Sequence, residues 1–195
     1  NIYPDNYFDF IYARLVLHYL ADNELLDVLK EQRLKANPGE YSVYCNDGFS
    51  LAEIIVERVS GQTFSEYMKE HITKPLKMKS TKTPQDKFDT SMLAGIYNGT
   101  TKLPIETFNA IGTGGIYSTA ENLCEFAEIF MDNYNTSSNQ SNILSNDSVV
   151  SMATKAEQAN HWLRLESVSD GYGLGFDSVN AYPFDEYGIK ALTKG

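Results

Sequence analysis

The chain has 195 residues, 42% of them hydrophobic, and a formal net charge of −10. That size and apolar content build a core for one domain, or one domain plus part of another, and the acidic balance argues against nucleic acid and anionic membrane surfaces as partners. No apolar run approaches the roughly 18 residues that a spanning helix requires. The two cysteines, Cys45 and Cys124, make neither a disulfide framework nor a metal site. His18, His71 and His161 are scattered without ligand spacing, so no metal and no cofactor is expected.

In chain order, Tyr7 to Leu20 and Asn23 to Arg33 place Ile11, Leu15, Leu25, Leu26 and Leu29 at helical spacing and predict two short helices. Pro38-Gly39 then makes a turn that delivers an aromatic segment, Tyr41-Ser42-Val43-Tyr44-Cys45-Asn46. On an extended backbone, residues two apart point the same way, so the Tyr44 phenol and the Asn46 carboxamide are expected to face one cleft. A helix follows at once, with Leu51, Ile54, Ile55 and Val59 as its apolar stripe and Asn46 or Asp47 placed to cap it. Cys45, between the pair, reads as a small filler.

Thr63-Phe64-Ser65-Glu66 has the form of a capping box and opens a helix that Pro75 stops. Gly114-Gly115 is a turn before a further helix. There Ser118-Thr119-Ala120-Glu121 repeats the capping form ahead of Leu123, Phe126, Ala127, Phe130 and Met131. Residues 133 to 147, rich in Asn and Ser, read as an exposed loop. Gly171 to Val179 and Tyr187 to Lys194 are aromatic and β-prone, and read as neighbouring antiparallel strands. The class is therefore α+β: a helical region over 1–170, and strands of an incomplete α/β domain over 171–195.

Several of these segments, in this order, carry a resemblance. Pro38-Gly39, Tyr44-Cys45-Asn46, Gly48-Phe49, Ser60-Gly61 and Pro75-Leu76-Lys77-Met78 match a Pro-Gly, Y-x-N, Gly-aromatic, Ser-Gly and Pro-Leu-Gly-Met succession. Gly114-Gly115-Ile116-Tyr117-Ser118-Thr119-Ala120-Glu121-Asn122-Leu123 and Tyr172-Gly173-Leu174-Gly175-Phe176 follow it. The order resembles the penicillin-recognising serine hydrolases, meaning class C β-lactamases, D-Ala-D-Ala carboxypeptidases and related esterases. The resemblance implies a β-lactamase/transpeptidase-like fold and acyl transfer to a serine. Tyr44 would act as base, Asn46 would bind the substrate's amide carbonyl, and Lys194, in Thr193-Lys194-Gly195, would stand near the family's K-T-G or H-x-G cation. Its register is off by one.

The chain also departs from the pattern. The nucleophile of this family is the Ser of S-x-x-K, and no Ser here has Lys three residues later; Ser80 with Lys82 and Ser151 with Lys155 each miss by one. Only 43 residues precede Tyr44, which reads as a fragment lacking that segment, inactive alone, whose partners include the missing N-terminal and C-terminal segments. The expected ligand is a β-lactam, a D-Ala peptide or an ester, and the expected location is outside the cytoplasm, where the family's cell-wall substrates lie. An uncovered sheet edge would invite dimerisation. One alternative is a non-catalytic relative that binds cell-wall peptide or a protein partner. Another is a nucleophile elbow at Gly48-Phe49-Ser50-Leu51-Ala52, against which stand the Ala in place of the last Gly and the helical sequence that follows. In the first reading Ser50 is an ordinary solvent-facing residue of the first helical turn.

Overall fold

The computed structural model describes residues 22–33, 45–105, 110–131, 143–154 and 173–194. They group into two compact units, one drawn from 22–32 and 45–124 and the other from residue 33 and 125–194. The first predicted helix, the Pro38-Gly39 turn, Tyr44 and the expected division at residue 170 lie outside the described residues.

In the first unit, α1 (Asp22–Glu31) lays Leu26, Val28 and Leu29 against Ile54 of α2 (Asn46–Ser60). The buried face of α2 is Asp47, Ser50 and Ile54, spaced by three and four residues as one helical stripe requires. Of the apolar stripe read from the sequence, Ile54 lies on this face, whereas Ile55 is 53% and Val59 84% exposed. The reason is polar: the side of α2 that carries Ser50 and Glu53 is hydrogen-bonded to a turn further along the chain, and those bonds set the helix's rotation. Gly61, in the left-handed region at φ 70°, ends the helix by bonding its N–H to Glu57 O, so the Ser60-Gly61 pair serves as a stop.

The capping box forms as read. Thr63 Oγ1 accepts from Glu66 N–H at 3.2 Å, and Glu66 Oε2 accepts from Thr63 N–H at 3.1 Å, opening α3 (Phe64–Met68). Glu57, on the last turn of α2, accepts the Phe64 N–H at 2.7 Å and ties the two helices end to end. α3 widens into a π-helical turn over Lys69–Thr73 before Pro75 ends it. The following Leu76 and Met78 are buried, and between them Lys77 stands at φ 60°, left-handed backbone in which the related Pro-Leu-Gly-Met motif has its glycine.

The Pro-Leu-Lys-Met and Gly-Gly-Ile-Tyr-Ser segments are sewn together. Lys82 and Tyr117 exchange two backbone hydrogen bonds of 2.8 Å as an antiparallel bridge. Thr81 Oγ1 and Ser118 Oγ lie 2.8 Å apart, and buried Asn122 accepts the Ser80 N–H at 2.8 Å. Asn122 belongs to α5 (Ala120–Ala127), which follows the helical turn α4 (Ile111–Gly114). The cap of α5 is shifted by one from the sequence reading, because Thr119, not Ser118, accepts the backbone N–H three residues on; Ser118 is engaged with Thr81. A short hairpin absent from the sequence reading, β1 (Tyr97–Asn98) with β2 (Thr101–Lys102), turns at Gly99 with φ 61°.

In the second unit, Phe126, Phe130 and Phe176 stack edge to face, with centroids 5.7 and 5.0 Å apart, over a core of Ile129, Ala153, Val179 and Ala181. The tail of the predicted loop is a helix, α6 (Asn146–Met152), whose cap is Ser145 accepting from Ser148 N–H. The two C-terminal strands are corrected in extent. They do meet antiparallel, as a bridge of Ser178 with Thr193, but the chain doubles back between Gly173 and Phe176, and Phe184–Tyr187 is a 3₁₀ turn. Pro183 at the head of that turn has no N–H to give a ladder, and Gly188 at φ 69° closes it, so a strand cannot start at Tyr187.

Two consequences are measurable. A non-glycine residue in left-handed backbone costs about 1–2 kcal/mol, less the extra chain entropy that glycine loses on folding. Lys77→Gly should therefore raise unfolding stability by about 0.5–1 kcal/mol in urea titration; a loss would contradict the strained assignment. The Thr63 backbone N–H, then its hydroxyl, hold the Glu66 carboxyl below its ordinary range. A depressed carboxyl stabilises above its unfolded value and loses that contribution as pH falls through the folded one. The Tm difference between the native chain and Glu66→Gln should thus be largest near neutrality and vanish under acid, and a constant offset across pH would refute the box.

Candidate active site

The helix α2 begins one residue earlier than a cap at Asn46 would allow. Cys45 occupies the N-cap position with extended backbone, φ −148° and ψ 106°, and it makes no side-chain capping bond. Asn46 is the first helical residue and Asp47 the second, so neither serves as the cap the sequence predicted. Asp47 is buried in the first turn, where the helix dipole favours a carboxylate. Cys45 is exposed, which removes the reading of it as a packed filler.

The Asn46 carboxamide is thereby released from helix capping, and its Oδ1 is buried with no hydrogen-bond partner among the described residues. A buried carbonyl oxygen left unpaired costs about 1–3 kcal/mol and is rare in folded proteins. Such a group fits a site that a substrate or a missing donor completes. The backbone of Asn46 is held at the same time: Thr113 donates its hydroxyl to Asn46 O at 3.0 Å, and Ser50 Oγ lies 2.8 Å from Thr113 Oγ1. Next to this pair, Glu53 Oε2 accepts the Gly112 N–H at 2.8 Å. The approach is close enough to require glycine, since a Cβ at Gly112 would come to 2.9 Å from Phe49 O and from Glu53 Cβ.

These contacts also dispose of the elbow. Ser50 is 6% exposed rather than solvent-facing, and its hydroxyl proton is committed inside the fold, whereas a nucleophile elbow presents its Oγ to the cleft. Thr113, Glu53 and Gly112 escaped the sequence reading because a polar residue on a helix face carries no periodic signal. The one hint was the glycine density of Gly112-Thr113-Gly114-Gly115, which marks a place where backbone comes near. Lys194 lies in the second unit, its Nζ 3.0 and 3.3 Å from the two carboxylate oxygens of Asp177. Both side chains are partly exposed, so the pair stabilises by no more than about 1 kcal/mol. Among the described residues no cluster of His, Cys, Asp and Glu could hold a metal, and no helix is long and apolar enough to cross a membrane.

The motif order and this fold agree with a comparison against known families, in which the model of the Beta-lactamase family matches residues 3–182. The chain belongs to the β-lactamase family. Its fold is the β-lactamase/transpeptidase one. It is 30% identical over 103 residues to the D-alanyl-D-alanine-carboxypeptidase/endopeptidase AmpH of Escherichia coli K12, a stretch that is 53% of this chain and 26% of AmpH. The chain thus spans about a quarter of the curated relative it matches. Among solved structures, it is similar to a D-stereospecific amidohydrolase from Streptomyces sp. with a TM-score of 0.59 and 21% identity, over 84% of this chain and 47% of that one. It is also similar to a β-lactamase/D-alanine carboxypeptidase from Pseudomonas syringae, with a TM-score of 0.57 and 17% identity over 70% and 37%. At these identities the structural likeness speaks for the fold alone.

An unpaired buried acceptor is a cost to folding that truncation relieves. Asn46→Ala should leave stability unchanged or raise it by about 1 kcal/mol. A loss of more than about 1 kcal/mol in chemical denaturation would make Asn46 a structural residue instead.

Proposed function

We propose that this chain is part of a serine hydrolase that forms an acyl-enzyme with β-lactams, D-Ala peptides or small esters. The observation that carries the reading is the Asn46 carboxamide, set at the start of α2 in a Y-x-N segment of a β-lactamase-family chain, with its inner oxygen buried and unpaired. With Oδ1 turned inward, the Nδ2 amino group is left to donate to an acyl-amide carbonyl, which would hold the scissile group in an attack geometry.

In this reading Tyr44 is the general base. A phenol titrates near about 10 and is a poor base at neutral pH unless cations stabilise the phenolate. The Lys of an S-x-x-K segment would supply one, and an ammonium there could also fill the empty Asn46 Oδ1. Lys194 is the candidate for a second cation, on condition that it leaves Asp177. The Ser of S-x-x-K would attack the carbonyl and pass its proton to Tyr44; the scissile C–N or C–O bond would break as Tyr44 returns that proton to the departing amine or alcohol oxygen, and water would then hydrolyse the acyl-Ser ester and free the Ser. The oxyanion would rest on the nucleophile's own N–H and one from a sheet strand. Because no Ser of this sequence has Lys three residues later, the reaction is assigned to a polypeptide that joins such a segment to this chain. Its place in this reading is outside the cytoplasm, where the cell-wall substrates of such hydrolases lie.

The test is covalent labelling. The 195-residue chain should form no adduct with a fluorescent penicillin or a fluorophosphonate, and a polypeptide that adds an S-x-x-K segment should form one at that Ser. In the latter, Tyr44→Phe should lower kcat by about 10²-fold or more with the fold preserved. Labelling of Ser50, or an unchanged kcat in Tyr44→Phe, would remove the assignment. A longer polypeptide that binds D-Ala peptide without forming any adduct would instead be a non-catalytic relative.

A further inference from the structure

The hydroxyl of Thr113 sits where it governs the Asn46 main chain, and counting protons fixes the direction of each bond. Asn46 O is a carbonyl and only accepts, so the single Thr113 proton is spent on it at 3.0 Å. Ser50 Oγ, 2.8 Å from Thr113 Oγ1, must then be the donor of that pair. Ser50 lies four residues after Asn46 in α2, so its N–H is the helical partner of the same Asn46 carbonyl. The result is a closed ring: Asn46 O receives the Ser50 N–H along the helix and the Thr113 O–H across it, and the Ser50 hydroxyl returns to Thr113. Ser50 is buried, and Gly112 beside Thr113 admits no side chain, so the turn Ile111–Gly114 cannot slide on the helix.

We propose that Thr113 is a positioning residue for Asn46, fixing the Asn46–Asp47 peptide plane and with it the Cα from which the carboxamide projects; the inference rests on the reading of Asn46 as the substrate contact. The first residue of a helix is where it frays, since half of its backbone bonds are missing. An extra bond from a neighbouring turn to that carbonyl restricts the Asn46 backbone without using its side chain. The carboxamide thus stays available, aimed but unpaired.

The experiment has two arms. In the 195-residue chain, the side-chain NH₂ resonances of Asn46 should shift in Thr113→Val, which keeps the shape and removes the hydroxyl, and should return in Thr113→Ser. Ser50→Ala, which leaves the Thr113 to Asn46 bond in place, should give a smaller shift and serves if Thr113→Val does not fold. The Asn122 carboxamide, held by Ser80 and Thr81, is the internal reference. Asn46 resonances unmoved in every folded variant would overturn the proposal. In a polypeptide that carries this chain and hydrolyses a β-lactam or D-Ala ester, Thr113→Val should lower kcat/KM by about 10- to 100-fold, with recovery in Thr113→Ser. Combined with Asn46→Ala it should add nothing to the loss from Asn46→Ala alone. Additive losses, as from two independent structural defects, would overturn it. Full activity of Asn46→Ala would instead sink the substrate-contact reading, leaving the resonances to decide whether Thr113 positions the residue.

Discussion

The first unit depends on a polar seam between the N-terminal half of α2 and the turn at Ile111–Gly114. The Thr113 hydroxyl, which donates to Asn46 O and accepts from Ser50, the bond from the Gly112 N–H to Glu53, and the absence of a Cβ at Gly112 bring backbone to helix at a distance that apolar side chains would not permit. Directional bonds fix rotation more tightly than hydrophobic contact, which is insensitive to angle. That seam turns Ser50 and Asp47 inward and leaves Ile55 and Val59 exposed.

The rest of the unit transmits this placement. Glu57 receives the first free amide of α3, the Lys82–Tyr117 bridge holds the segment after α3 to the segment before α5, and Asn122 anchors the former from α5. The Gly112-to-Gly115 turn belongs to that second segment. The motifs that identify the family are therefore also the places where the chain is cross-linked to itself. Their order in sequence reflects a mechanical need as much as a chemical one, because a residue at the start of a helix is positioned only as well as the helix is.

Much of this was legible in the residues. The helix after Asn46, the capping box at Thr63 and Glu66, the Pro75 stop and the antiparallel meeting of the last segments follow from local rules of caps, breakers and periodicity. What failed did so for identifiable reasons. The cap moved from Asn46 to Cys45 because dihedral angles, not side-chain aptitude, decide where a helix begins, and the C-terminal strands shrank to a bridge because Pro183 and Gly188 impose a turn. The role of Thr113 was invisible, since its partner stands 67 residues away. For the site, the Tyr44 and Lys194 assignments come from motif likeness, whereas for Asn46 the structure adds an unpaired buried oxygen.

The central claim is that Asn46 addresses the acyl group of a substrate for which Tyr44 is the proposed base. The most direct measurement is a crystal structure of a β-lactam adduct formed by a polypeptide that joins an S-x-x-K segment to this chain. The account predicts Asn46 Nδ2 within about 3.2 Å of the acyl-amide carbonyl and the Tyr44 hydroxyl within hydrogen-bond reach of the acylated Ser oxygen. An adduct whose acyl group lies away from the start of α2, with Asn46 Oδ1 still buried and its amino group turned from the ligand, would contradict it.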